Sequence, residues 1–128
     1  MKSLYLEDLK GMSQEEVRAH LVDNYADDPD KQKVSAALEG MDVVVAYESV
    51  GSWGCDSSSF FLFRRKSDGV YLENHGSHCS CYGFEGQFSP EETTAEYLKS
   101  DKFNFYCGGY DDNKTSNQAD VKAFIAEL

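Results

Sequence analysis

The sequence lacks any apolar run long enough to cross a bilayer; its best candidate, Met41–Tyr47, is far too short. It also lacks the basic and then apolar pattern of a secretory leader, because Glu7 and Asp8 directly follow the apolar residues at positions 4–6. A glycine-rich phosphate-binding loop, an internal repeat and a low-complexity tract are likewise missing. These absences argue against a membrane role and favour the cytoplasm as the site of action.

Basic residues are scarce. The chain has 12 Lys and Arg against 23 Asp and Glu, which gives a net charge of −11. Proteins that follow a phosphate backbone need Lys and Arg to displace its counterions, so direct nucleic-acid binding is not expected. The negative charge is compatible with binding to a partner that has a basic surface, or with imitation of nucleic acid. It is equally compatible with a role in solubility alone.

The remaining composition is that of one globular domain. With 128 residues, 41% of them hydrophobic and 13% aromatic, the chain is long enough to bury a core dominated by Phe and Tyr. Periodicity predicts eight elements in the order helix, helix, strand, strand, strand, helix, strand, helix. The first helix begins at Ser13, with Glu16 closing a capping box. The second helix begins near Pro29, and the later elements are strands at 43–50, 58–65 and 70–74, a helix at 89–99, a strand at 102–107 and a helix at 116–128.

Short turns between consecutive strands predict antiparallel pairing. We therefore expect a single α+β domain over 1–128, with a four-stranded, mainly antiparallel sheet and about four helices packed on one face. Its parts would be a helical region at 1–41, the sheet with an inserted helix at 42–110, and a final helix at 116–128. The run Phe60–Phe63 is apolar on both faces, which predicts a central strand.

The chain contains four cysteines: Cys55, Cys79, Cys81 and Cys107. A reducing cytosol favours free thiols or metal ligands over disulfides, and Cys79 and Cys81 are too close to pair with each other comfortably. A zinc site is one hypothesis, with all four thiols as ligands and His75 as the next candidate, although the spacing is not the usual one. The alternatives are small buried hydrophobic residues or a thiol nucleophile served by a histidine. No cofactor other than zinc is indicated.

Aromatic residues on glycine-flanked loops are candidate anchors for a partner, unless they close the ends of the core. Paired carboxylates such as Glu15-Glu16 are explained by helix capping and the helix dipole. A polar loop at 108–113 lacks the spaced ligands of a calcium loop. The candidate partner-binding residues are Trp53, His78, Tyr82, Phe84, Glu85, Asp111 and Asp112.

One segment resembles a group of small, uncharacterised bacteriophage proteins. The resemblance rests on Gly69–Glu73, followed by His78-Cys79-Ser80-Cys81-Tyr82-Gly83 and by Ser89-Pro90-Glu91-Glu92, and it spans about 43–100. Phe88 stands where a Trp is more usual. The group supplies no established activity, so the resemblance implies no catalytic residue. It implies a context in which small acidic proteins often bind and block a host protein.

The leading hypothesis is a non-enzymatic, phage-type accessory protein that acts in the host cytoplasm. It would bind and inhibit a host protein with a basic surface, such as a defence enzyme or a nucleic-acid enzyme. Two alternatives stay open: a zinc-binding or thiol-dependent enzyme centred on Cys79 and Cys81, and a nucleic-acid mimic.

Overall fold

The computed structural model describes residues 2–51, 57–79, 81–106 and 114–128, with the backbone alone at 114 and 115. A short 3-10 helix at Asp28–Asp30 leads into the second α-helix. No helix in these ranges is long and apolar enough to span a membrane. The elements, in chain order, are β1 (Leu4–Glu7), α1 (Gln14–Tyr25), α2 (Lys31–Glu39), β2 (Met41–Ser49), β3 (Ser57–Arg65), β4 (Tyr71–His78), β5 (Glu91–Thr93), α3 (Ala95–Leu98) and α4 (Lys114–Ala126).

The five strands form one mixed sheet in the order β1-β2-β3-β4-β5. Neighbouring strands from β2 to β5 pair antiparallel, whereas β1 pairs parallel with β2. A parallel neighbour needs a long crossover, which α1 and α2 provide. The α+β class is confirmed, but the expected four strands are five.

Two of the five strands, β1 and β5, were not expected, and β1 is a four-residue edge strand at Leu4–Glu7. Its apolar pattern is too short to be distinguished from a loop, and only its pairing with Val45–Glu48 identifies it. The backbone continues the contact, because the Asp8 N–H donates to the Glu48 carbonyl at 3.0 Å. The region 1–41 is therefore not purely helical.

The first helix begins as predicted. The Ser13 hydroxyl accepts from the Glu16 N–H at 3.1 Å, and the Glu16 carboxylate accepts from the Ser13 N–H at 3.0 Å. This reciprocal capping box satisfies two amide groups that the helix itself cannot pair. The buried face of α1 consists of Val17, Leu21 and Tyr25.

Strand β3 lies at the centre of the sheet, and its apolar residues point alternately to two cores. Phe61 and Phe63 join a first core with α1 and α2. Phe60 and Leu62 join a second core on the opposite face, with α3, α4 and the segment 103–105. All four residues are fully buried. The expectation that helices cover one face only is wrong, since a strand apolar on both sides needs cover on both.

The prediction of a helix at 89–99 is wrong for the first half of that range. Glu91–Thr93 instead form β5, which pairs with Tyr71–Glu73 of β4. The helix begins only after Thr94, whose hydroxyl accepts from the Tyr97 N–H at 3.1 Å. The carboxylate of Glu92 forms an ion pair with Arg65 at 3.0 Å. A non-local strand pairing therefore outweighs a local helix-start pattern.

The last two expected elements also differ in detail. The segment Lys102–Tyr106 contains no strand, although Phe103 and Phe105 are buried in the second core as the alternation predicts. The final helix begins at Lys114, so Ser116 and Asn117 lie inside it instead of capping it.

Candidate functional site

The loop that follows β4 is attached to the sheet by a glutamine. The Gln87 amide oxygen accepts from the Ser77 N–H at 2.9 Å, and its amide nitrogen donates to the Ser77 carbonyl at 2.8 Å. Strand β5 pairs with β4 only as far as Glu73, so beyond that point the Gln87 side chain replaces a neighbouring strand. The Gln87 amide thereby satisfies backbone hydrogen-bonding groups of β4 that would otherwise be unpaired at the edge of the sheet.

A buried asparagine holds the far end of the same loop. Asn74 is 1% exposed; its amide nitrogen donates to the Gln87 carbonyl at 3.1 Å, and its oxygen accepts from the Ser89 N–H at 2.6 Å. The amide therefore has partners for its donor and its acceptor, as a buried polar group requires. The Asn74 side chain therefore holds the segment 87–89 through hydrogen bonds at both of its ends.

Phe84 anchors the middle of the loop in the first core. Its ring stacks on Tyr25 with centroids 4.7 Å apart, and it meets the ring of His78 edge to face at 4.4 Å. Phe84 is only 5% exposed. Its role in partner binding stays a prediction, but its burial places it beneath the surface, where it supports the exposed residues.

Two exposed tyrosines lie at the end of the sheet where this loop emerges. Tyr82 is 59% exposed and Tyr106 is 54% exposed, and both line a concavity of about 350 Å³ with His78 and Cys79. These four residues are called the tyrosine face below. Ser57 and Ser77 complete the lining of the concavity.

The sequence analysis identified His78 and Tyr82 but missed Tyr106. The signal for Tyr106 was the alternation after Lys102. Because Phe103 and Phe105 point into the core, a residue one position further along points outwards. The prediction of a strand at 102–107 used only the residues that enter the core, and Tyr106 is not one of them.

Glu85, another predicted partner-binding residue, is used within the loop. It is exposed, and its carboxylate accepts from the Gly83 N–H at 2.9 Å. This local hydrogen bond orders the turn between Tyr82 and Phe84. Glu85 therefore stabilises the loop, and its role in partner binding stays a prediction.

Cys79 and Cys81 are exposed thiols, so they are not the small core residues that one hypothesis suggested. The Cys81 N–H lies 3.5 Å from the Cys79 sulfur. Hydrogen bonds from the backbone and thiol of Cys81 lower the pKa of Cys79. Among the described residues, no group of three or more His, Cys, Asp or Glu side chains could hold a metal ion.

Several predicted site residues lie outside the part of the chain that the structure describes. The four-cysteine zinc site therefore stays a prediction, as does partner binding by these residues. The residues outside the description are Trp53, Cys55, Cys107, Asp111 and Asp112.

A buried ionisable cluster supports the loop from below, and the sequence analysis missed it. Glu48 is 4% exposed, and one of its carboxylate oxygens accepts from the Tyr25 hydroxyl at 2.6 Å and lies 2.8 Å from His20 Nε2. The hydrogen bond to Glu48 raises the pKa of His20, and burial together with Glu48 raises the pKa of Tyr25. The Tyr25 carbonyl also accepts from the Phe88 N–H at 3.2 Å, which links this cluster to the loop.

Larger concavities exist in the described structure: one of about 570 Å³ has Glu73, His75 and Tyr97 in its lining, and another is an apolar groove of about 710 Å³. It lies between α2 and the Phe88–Pro90 segment, with Met41 and Leu72 among its lining residues. It has no exposed tyrosine or tryptophan. The tyrosine face is therefore the better candidate for specific recognition.

Comparison with known proteins gives no relative for this chain. No family model matches it, and neither a curated protein nor a solved structure is detectably similar. The function must therefore be argued from the arrangement of its own residues.

Proposed function

We propose that the protein is a non-enzymatic binding module that attaches to a host protein through its tyrosine face. The observation that supports this proposal most directly is the clustering of exposed aromatics. Only four large hydrophobic side chains are exposed among the described residues, and two of them, Tyr82 and Tyr106, line one concavity. Tyrosine is enriched among the residues that dominate interface energies, because it offers a large apolar ring and a polar tip.

The described part of the loop that presents Tyr82 is anchored on both sides of that residue. Gln87 binds Ser77 through two hydrogen bonds, and Phe84 is packed against Tyr25. A surface that is already ordered loses little conformational entropy on binding, so more of the contact energy contributes to affinity. This arrangement suits recognition of a folded surface.

The charge of the whole chain supports a basic partner. A net charge of −11 attracts a positively charged surface over distances comparable with the Debye length. The choice of a host protein as the partner, and of inhibition as the outcome, rests on the resemblance proposed in the sequence analysis, for which the comparisons give no relative. The enzymatic and nucleic-acid-mimic hypotheses stay alternatives.

The test compares capture of host proteins by three forms of the immobilised protein. We expect the wild type to retain a stoichiometric partner and the double variant Tyr82→Ala/Tyr106→Ala to lose it, with an affinity loss of at least about 30-fold, equivalent to about 2 kcal/mol. Tyr97→Ala is the matched control, because Tyr97 is 41% exposed but packs beside Phe103 and does not line the concavity at the tyrosine face. Equal capture by wild type and double variant would exclude the tyrosine face as the contact surface.

A further inference from the structure

The thiols of Cys79 and Cys81 are in mutual contact on the surface. Both side chains are exposed directly after β4. The Cys81 N–H lies 3.5 Å from the Cys79 sulfur, and the Cys81 thiol also hydrogen-bonds the Cys79 thiol. The Cys79 sulfur therefore lies close to the backbone of Cys81.

The chain geometry permits a bond between these two sulfurs. A disulfide requires the two Cα atoms to lie about 4.4–6.8 Å apart. Residues two positions apart are separated by at most about 7 Å even in a fully extended chain, so a modest bend meets the requirement. A disulfide between Cys79 and Cys81 would close a small, strained ring, which is why the sequence analysis considered this pairing unfavourable. Strain of this kind makes a disulfide easier to reduce and is typical of labile disulfides.

We propose that Cys79 and Cys81 form a reversible dithiol–disulfide site that exchanges with a low-molecular-weight disulfide. The Cys79 thiolate attacks one sulfur of the external disulfide, whose S–S bond breaks and releases one small thiolate. That thiolate takes up a proton. The Cys81 thiol then loses its proton and attacks the Cys79 sulfur, which releases the second small thiol. The two protein thiols lose two electrons and two protons, and the external disulfide gains them.

Cys79 is assigned as the attacking residue because hydrogen bonds from Cys81 stabilise its thiolate. The Cys81 N–H and thiol both point hydrogen-bond donors at its sulfur, and the resulting lowered pKa increases the reactive thiolate fraction. Its exposure allows a small disulfide to reach it. The role of Cys81 is that of the resolving thiol.

Ring closure affects a short and bounded piece of chain. Ser77 is fixed by Gln87 before the cysteines, and Phe84 is buried after them, so the change falls on the residues between. Tyr82 follows Cys81 directly and belongs to the tyrosine face. Control of partner binding by oxidation is thus a consequence that rests on the proposed function, whereas the disulfide itself does not.

The test equilibrates the folded, full-length protein in mixtures of reduced and oxidised glutathione, blocks free thiols by alkylation, and maps tryptic peptides by mass spectrometry. Cleavage after Lys66 and Lys99 yields a peptide at 67–99 that contains Cys79 and Cys81 and no other cysteine. We expect this peptide to lose two hydrogen atoms as oxidised glutathione increases, and to regain them in excess reduced glutathione. Cross-links to Cys55 or Cys107 would appear as joined peptides instead.

Two single variants separate the proposed roles. Cys81→Ser removes the resolving thiol, so Cys79 should accumulate a mixed disulfide with glutathione. Cys79→Ser removes the attacking thiol, so Cys81 should be modified more slowly. Wild-type peptide mapping decides the matter alone if a variant fails to fold. The proposal is overturned if both thiols remain alkylatable across the whole series, if Cys79 joins Cys55 or Cys107, or if these thiols retain a bound metal ion.

Discussion

At the scale of single residues, Glu48 connects the core to the loop. It is a buried acid at the carboxyl end of β2, and one oxygen interacts with both His20 and Tyr25 of α1. A buried carboxylate is costly unless hydrogen bonds satisfy it, and these two donors meet that requirement. Because Tyr25 also stacks on Phe84, the same acid helps to position the loop.

This cluster makes stability depend on pH through His20. Glu48, and then the nearby charges of Asp23 and Asp8, raise the pKa of His20 above its ordinary value of about 6.5, while burial partly opposes them. When the pKa of a histidine is higher in the folded protein than in the unfolded one, its protonation stabilises the fold. This stabilisation is complete below the pKa of the unfolded state and is lost as the pH rises through the pKa of the folded state. We expect the free energy of unfolding, measured by urea denaturation, to decrease as the pH is raised from about 6 to a value above the folded-state pKa of His20.

His20→Gln is the control for this pH dependence. It keeps a hydrogen-bond donor near Glu48 but cannot take up a proton, so its unfolding free energy should change less with pH over the same interval. Urea unfolding monitored by circular dichroism measures both proteins under matched conditions. An equal pH slope for the two would show that His20 does not cause the effect.

At the scale of elements, two glutamine side chains complete the sheet where short strands stop. Gln87 pairs with Ser77 on β4, as described above. Gln14, the first residue of α1, does the same for β2: its amide donates to the Val43 carbonyl at 2.6 Å and accepts from the Val43 N–H at 3.0 Å. Both edge strands can therefore be short while the longer strands stay hydrogen-bonded.

The β3–β4 ladder requires a glycine behind the loop. Gly76 pairs with Ser59, and a Cβ at position 76 would overlap the Ser59 hydroxyl and press on Gln87 and Phe84. We expect Gly76→Ala to lower the free energy of unfolding by about 1–3 kcal/mol, the usual cost of overpacking. Chemical denaturation measures this loss.

Ser59→Ala tests the cause of that loss. The Ser59 hydroxyl is buried without a hydrogen bond of good geometry and contacts the Tyr25 hydroxyl only weakly, so its removal alone should be nearly neutral. The double variant Gly76→Ala/Ser59→Ala should be more stable than Gly76→Ala, because the closest overlap is gone. Additive effects of the two changes would mean that the overlap with Ser59 is not the source of the loss.

The elements that local chemistry defines could be predicted from the sequence, and those that distant pairing defines could not. The capping box of Ser13 and the two-sided apolar run of β3 were both predicted and are confirmed. β1 and β5 exist because of partners more than fifteen residues away, so no local pattern reveals them. At the site, His78 and Tyr82 were predicted from the motif. Gln87 was not, because its role depends on where β5 stops.

At the scale of the whole molecule, the chain combines a sheet covered on both faces with a strongly acidic charge. The two cores bury the apolar residues of β3 on opposite sides of the sheet. The proposed recognition therefore uses one end of the sheet and the loop beside it. Charge and aromatic contact then have separate roles in the proposed binding. Charge acts before contact, at long range, whereas the tyrosines act only in the bound complex.

These roles predict different kinetic signatures once the partner is identified. Raising sodium chloride from about 50 to 500 mM should slow association strongly, because it screens attraction between the acidic protein and a basic surface. Dissociation should change little with salt but should become much faster in Tyr82→Ala/Tyr106→Ala, since that variant removes contacts made after encounter. Surface plasmon resonance at several salt concentrations separates the two rates. If association were insensitive to salt while the tyrosine variant still dissociated rapidly, the aromatic contact would stand and the charge of −11 would have no part in recognition.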